Sequence, residues 1–130
     1  MDYAQLIRIA TDAKNNSYSP YSKFRVGAAI LTKSGRVYTG ANVENASYGA
    51  TICAERTAML KAVFDGEREV KAVAIAGDCD DYIYPCGICR QFLAEFTDDD
   101  AEIICSKKSG DFKVYKFGEL LPQAFRGSSL

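Results

Sequence analysis

The stretch Cys53 to Ala76, CAERTAMLKAVFDGEREVKAVAIA, holds two elements of different period. From Cys53 to Phe64, Ala54, Ala58, Leu60, Ala62 and Val63 fill a helix, and Gly66 ends it. From Val70 to Ala76 the apolar run predicts a strand buried on both faces. A helix that feeds a doubly covered strand is the building unit of a layered α/β domain.

The flanks extend this pattern. Upstream, Leu6, Ile9, Ala10 and Ala13 sit at helical spacing within residues 3–14, and Asn15 to Pro20 breaks that helix. Val26 to Leu31 and Arg36 to Ala41 read as a hairpin turning at Lys33-Ser34-Gly35. Residues 42–51 are small and polar, the composition of a functional loop. Downstream come a loop over 77–85, an amphipathic helix from Gly87 to Phe96, and short strands at Ala101–Cys105 and Phe112–Val114. The segment Phe117 to Phe125 reads as one more short helix. The expected fold is a three-layer α/β/α sandwich around a mixed five-stranded sheet, one domain over residues 1–130.

Composition narrows the chemistry. Sixteen basic residues face 17 acidic ones, for a formal net charge of -1, which leaves no electrostatic footprint for nucleic acid or an anionic membrane. The first residues lack a charged leader before an apolar run, and no apolar stretch approaches the ~20 residues that span a bilayer. The expectation is a cytoplasmic chain with reduced thiols, acting on a small molecule or on copies of itself. The chain has five cysteines and no histidine. That excludes Ser-His-Asp and Cys-His catalysis and every His-containing metal site, so any metal is held by Cys or carboxylate.

The chemistry-bearing residues lie in two segments, Cys53-Ala54-Glu55 and Pro85-Cys86-Gly87-Ile88-Cys89, each at the expected start of a helix. Unpaired N–H groups and the helix dipole favour thiolate there, and thiolate is what zinc requires. Cys86 and Cys89 face the same way on a first helical turn. If the two helix starts face each other, three sulfurs surround one ion, and its fourth position stays open for water as in catalytic zinc sites. Cys79 and Cys105, the remaining cysteines, sit in or beside expected strands and read as core residues. Zinc with three thiolates keeps one net negative charge, which must be offset. Arg56 and Arg90 follow the two motifs directly; Arg56 is the preferred donor to a ligand sulfur, and Arg90 stays open between that role and a solvent-facing one. Glu55 is the carboxylate beside a proposed ligand. In a dry pocket its pKa should rise, which suits it to move protons. The plainer reading is an acidic residue in a helical first turn.

At these residues the chain resembles the zinc-dependent nucleoside and nucleobase deaminases, and within them the short cytidine deaminases. The resemblance runs from about residue 3 to 125 through Ser19-Pro20-Tyr21-Ser22-Lys23-Phe24-Arg25-Val26-Gly27-Ala28-Ala29, Asn42-Val43-Glu44-Asn45-Ala46-Ser47-Tyr48-Gly49, both cysteine segments, and Leu120-Leu121-Pro122-Gln123-Ala124-Phe125. It implies one Zn²⁺ per subunit on Cys53, Cys86 and Cys89, hydrolysis at carbon 4 of cytosine, and Glu55 as proton shuttle. It further implies Asn42 and Glu44 on the ribose, Phe24 lining the pocket, the Ala54 backbone on the base, and a homotetramer in which Tyr48 and Phe125 reach a neighbour's site. Pyrimidine salvage is the family's role. From the residues alone, Asn42 and Glu44 share one side of an extended segment, and Phe24 and Phe125 would pass for core residues. Tyr84 departs from the family, which carries a small residue before this proline.

Other readings differ in what they require. A deaminase of a modified cytosine nucleoside such as blasticidin S would share the zinc site but not the Asn42–Glu44 pair. An editing deaminase needs a basic surface for phosphates. A structural zinc module needs a fourth cysteine and has no use for Glu55. A redox dithiol at Cys86 and Cys89 binds no metal.

Overall fold

The structure, a computed structural model, describes residues 1–130. Helix α1 spans Tyr3–Ala13, and strands β1 and β2 (Val26–Thr32, Val37–Ala41) form the hairpin. Helix α2 (Ala54–Phe64), strand β3 (Val70–Gly77) and helix α3 (Gly87–Ala94) follow. Strands β4 (Glu102–Ser106) and β5 (Phe112–Lys116) and the one-turn helix α4 (Phe117–Leu120) complete the order. The five strands form one mixed sheet in the order β2-β1-β3-β4-β5. Only β3 and β4 pair in parallel, and α3 lies in the crossover that such a pair requires.

Strand direction decides where the site can form. β1 pairs antiparallel with both β2 and β3, so those two run the same way. Helix α2 follows β2 and α3 follows β3, so both helices begin at one end of the sheet. Ligand sites of α/β sheets favour this end, beyond the carboxyl ends of the strands.

The sheet separates its two faces by simple alternation. Ala28, Ile30, Val73, Ile75, Ile103 and Cys105 face α2 and α3, with Ala58, Met59 and Leu93 packed on them. Ala29, Leu31, Ala72, Ala74, Ala76 and Ile104 face α1, through Leu6, Ile7 and Ala10. Each wholly buried Ile, Val, Leu or Met contributes about 1.5–3 kcal/mol of apolar transfer. Asp2 caps α1 reciprocally: its carboxylate accepts from Gln5 N at 2.8 Å, and Asp2 N donates to Gln5 Oε1 at 2.9 Å.

Two glycines set the helix–sheet spacing. A Cβ on Gly27 would lie 2.0 Å from the Ala10 carbonyl oxygen of α1. A Cβ on Gly40 would lie 2.4 Å from Ala58 N and 2.5 Å from Ala54 O of α2. Each helix therefore rests backbone to backbone on the hairpin.

Some expectations change. On α2 the inward residue is Met59, at 0 % exposed, whereas Leu60 is 49 % exposed. On α1, Ile7 is buried and Ile9 only partly so. The helix expected over residues 117–125 stops at Leu120, because Pro122 disfavours helical backbone at Leu121 and has no N–H to donate. Cys105 is buried in β4 as expected, but Cys79 lies half-buried in the loop after β3, its thiol donating to Asp81 O at 3.6 Å. No helix is long and apolar enough to cross a membrane.

Candidate active site

Cys53 is the N-cap of α2 and Cys86 the N-cap of α3; both have extended backbone and neither side chain makes a capping hydrogen bond. The two sulfurs stay free to turn toward each other because no cap claims them. Cys89 lies in the first turn of α3, on the side of Cys86. The three Sγ atoms lie within 4.8 Å of one another, and those of Cys53 and Cys86 are 3.8 Å apart. A tetrahedral ion with Zn–S bonds of about 2.3 Å needs sulfurs about 3.8 Å apart. The donor set therefore fits zinc with small adjustment. Neither Cys79 nor Cys105 belongs to the cluster, so the protein offers three ligands and no fourth.

The charge of the cluster is managed locally. Hydrogen bonding from Cys89, with Arg56 and Cys86 adding to it, lowers the Cys53 thiol to about 5 against the opposing effect of burial. Cys89 is pushed up, first by its hydrogen bond to Cys53 and then by burial. Arg56 Nη2 lies 3.5 Å from Cys53 Sγ and also donates to Thr51 O at 3.3 Å. Its Nε is buried with no partner, a spare donor on the same guanidinium. Arg90, left open by the sequence, is spent elsewhere: Nε donates to Pro85 O at 2.8 Å and Nη1 to Leu120 O at 2.7 Å. It fastens the loop that carries Cys86 instead of touching a sulfur.

Glu55, in the first turn of α2, is 4 % exposed. Burial raises its carboxyl to about 7, and the charge of Cys53 adds to the rise. A carboxyl held near neutrality can both take and give a proton.

These groups open into a cavity of ≈ 260 Å³ lined by Cys53, Ala54, Glu55, Cys86, Phe24 and Asn42, together with Val26, Thr51, Ile83 and Tyr84. Cys89, fully buried, does not line it. A second hollow of ≈ 340 Å³ shares Thr51 and holds Glu44 and Tyr48 beside Tyr21, Ser22 and Asn45. Phe125 lines neither; its carbonyl accepts from Gln91 Nε2 at 2.8 Å.

Asn42 and Glu44 both point toward the segment before β1. Asn42 Oδ1 accepts from Ser17 Oγ (2.5 Å) and Val26 N (2.9 Å), and Nδ2 donates to Phe24 O (2.9 Å), so one N–H is left over. The Glu44 carboxylate accepts from Tyr21 N (3.0 Å), Ser22 N (3.1 Å) and the Ser22 hydroxyl, and that hydroxyl is the main cause of its lowered pKa. Both side chains thereby hold the Ser19–Phe24 loop in place, a task that their spacing alone does not reveal. Val26, Thr51 and Ile83 were not singled out as site residues. Val26 lies within the quoted Ser19–Ala29 segment and Thr51 within the 42–51 loop, but no chemistry of their own marks these apolar and small side chains in the sequence.

The sequence profile of the cytidine and deoxycytidylate deaminase zinc-binding region matches residues 1–106. The chain belongs to this deaminase family. Zinc is accordingly the metal that the three thiols are built to hold. Among relatives of this deaminase, the cytidine deaminase of Halalkalibacterium halodurans is 46% identical over 130 residues, covering 100% of this chain and 98% of that protein. A probable cytidine deaminase of Dictyostelium discoideum is 46% identical over 125 residues, covering 95% of this chain and 84% of that protein. The crystal structure of cytidine deaminase from Burkholderia pseudomallei superposes with a TM-score of 0.92 at 44% identity, covering 96% of this chain and 100% of that one. That of Mycobacterium tuberculosis gives 0.85 at 39% identity, over 96% and 98%. The mixed five-stranded sheet and its helices are thus the fold of this family's solved members.

Proposed function

We propose that this protein hydrolyses cytidine, and deoxycytidine with it, to the corresponding uridine and ammonia, as a step of pyrimidine salvage in the cytoplasm. The observation that carries the reading is Glu55: a buried carboxyl raised to about 7, beside three converging thiols, in the wall of a nucleoside-sized cavity. The relatives named as cytidine deaminases support the choice of substrate.

Cys53, Cys86 and Cys89 hold the metal. Bound zinc supplies Lewis-acid activation of a water molecule. Glu55 passes the first proton of that water to ring nitrogen 3 while its oxygen adds to carbon 4. Glu55 then passes the second to the exocyclic amine as the carbon–nitrogen bond breaks, leaving a carbonyl and ammonia. Arg56 offsets the thiolate charge. Phe24 and the Ala54 backbone bound the base, while Asn42, through its remaining N–H, and Glu44 take the sugar hydroxyls. Residues 1–130 act as one domain, and four copies form a homotetramer in which Tyr48 and Phe125 complete a neighbour's site. Exposed apolar side chains support assembly: Phe64 is 95 % exposed, Tyr48 77 %, Ile88 64 % and Phe125 55 %.

The test is turnover of cytidine by zinc-loaded protein, with Glu55→Ala beside it. The variant should lose about 10²–10⁴-fold in rate while keeping its zinc. A zinc-loaded parent that leaves cytidine unchanged would sink the reading.

A further inference from the structure

Tyr84 stands in the wall of the catalytic cavity, two residues before the ligand Cys86. Several contacts fix it there. Its hydroxyl is 3.1 Å from the Tyr115 hydroxyl, and the two rings pack at 5.7 Å between centroids, tilted by 60°. Tyr115 belongs to the edge strand β5, registered opposite Ile103 of the core. The residue before Tyr84 is pinned by Ile83 N donating to Ser106 O at 3.1 Å. The residue after it is Pro85, whose carbonyl is held by Arg90. One step further back, the Tyr82 ring lies under Lys107 and Lys113, at 5.1 and 4.7 Å. The segment from Tyr82 to Pro85 is thus strapped along β4 and β5, and the Tyr84 ring, 41 % exposed, is held against Tyr115.

A ring held in the wall that Cys53, Glu55 and Cys86 also line takes up volume in the cavity that the proposed reaction gives to the base. We propose that Tyr84 is a specificity-determining residue that sets a size limit on the amine-bearing edge of the base, with Tyr115 as the residue that positions it. The inference rests on the proposed cytidine reaction. It predicts that cytosine nucleosides enlarged on that edge are turned over poorly, because the ring occupies the volume their substituent would need. Its probes are 5-methylcytidine, which with water gives 5-methyluridine and ammonia, and N4-methylcytidine, which with water gives uridine and methylamine.

The readout is the ratio of kcat/KM for each probe to kcat/KM for cytidine, with zinc content measured on every sample. Tyr84→Ser should raise the ratio for at least one probe by ~10-fold or more, the range by which a pocket discriminates one methyl group. Tyr84→Phe keeps the ring but removes the same hydroxyl bridge as Tyr115→Phe, so it should raise the ratios by no more than that variant does, and by far less than Tyr84→Ser. Tyr115→Phe keeps both rings and removes only the hydroxyl bridge; it should raise the ratio by a smaller factor, and it serves as the test if Tyr84→Ser does not fold. Ratios unchanged within twofold in the serine variant, at parental zinc content, would overturn the size limit. Ratios unchanged in Tyr115→Phe would overturn the positioning role. A parent inactive on cytidine itself would instead remove the reaction on which the inference rests, so the two failures are told apart.

Discussion

Arg56 illustrates how much a single side chain does around a cluster of like charges. Three sulfurs within 4.8 Å of one another repel as thiolates, and Arg56 is the cation in contact with one of them. Replacing it with Gln keeps a hydrogen-bond donor and removes the charge. We expect Arg56→Gln to weaken zinc binding by about 10–100-fold, the usual range for partners of metal ligands, measured by competition with a chromophoric chelator. Parental zinc affinity in that variant would show that the charge is offset by the helix starts alone. At this scale the metal cluster was legible in the sequence, because two cysteine segments at helix starts have few other uses. Arg90 was not legible: an arginine after a cysteine can reach a sulfur or a carbonyl, and its fork geometry decided for Pro85 and Leu120. The dual work of Asn42 and Glu44 was hidden for a similar reason, since their partners Ser17, Tyr21 and Ser22 come together only after the chain turns at Ser19–Lys23.

The elements meet at distances that glycines permit. Gly40→Ala forces α2 off the hairpin at Ala54 and Ala58, close to Cys53 and Glu55. Gly27→Ala does the same to α1 on the opposite face. Both variants should lose about 1–3 kcal/mol of stability through overpacking, read by urea unfolding, but only Gly40→Ala should also weaken zinc binding. Equal zinc affinity in the two would refute the role of Gly40 in placing the ligand helix. A second joint binds α1, the approach to β1 and the end of β3: Asp78 accepts from Arg25 Nε at 2.8 Å and from Lys14 at 3.1 Å. Arg25 first, then Lys14, hold its carboxyl well below the usual range. A depressed folded pKa means stability that is complete above the unfolded value of about 3.9 and is lost as pH falls below it. Urea midpoints should therefore fall as pH drops below about 4, and fall less steeply in Asp78→Asn; identical slopes would sink the claim. Element positions were readable from periodicity, as the strands at 26–31 and 70–76 show. Which helical residues turn inward was harder: Met59 and Leu60 are both apolar, and only the direction of α2 across the sheet selects Met59.

For the whole molecule the question is whether one chain makes a complete site. Phe125 and Tyr48 lie outside the cavity that holds Glu55, although the proposed function requires both near the substrate. In a shared site, a chain with Phe125→Ala still carries its own Glu55, and a chain with Glu55→Ala still lends Phe125. Mixing the two variants by unfolding and refolding together should recover activity well above the sum of the separate preparations. No recovery in assembled mixed oligomers would refute the sharing of Phe125. The closeness of Cys53 and Cys86 has a consequence outside deamination. Sulfurs 3.8 Å apart would have to close to the ~2.05 Å of a disulfide if a chelator took the metal in the presence of an oxidant. Metal binding and oxidation would thus compete for the same two thiols, so an ion held there would also shield them from an oxidant.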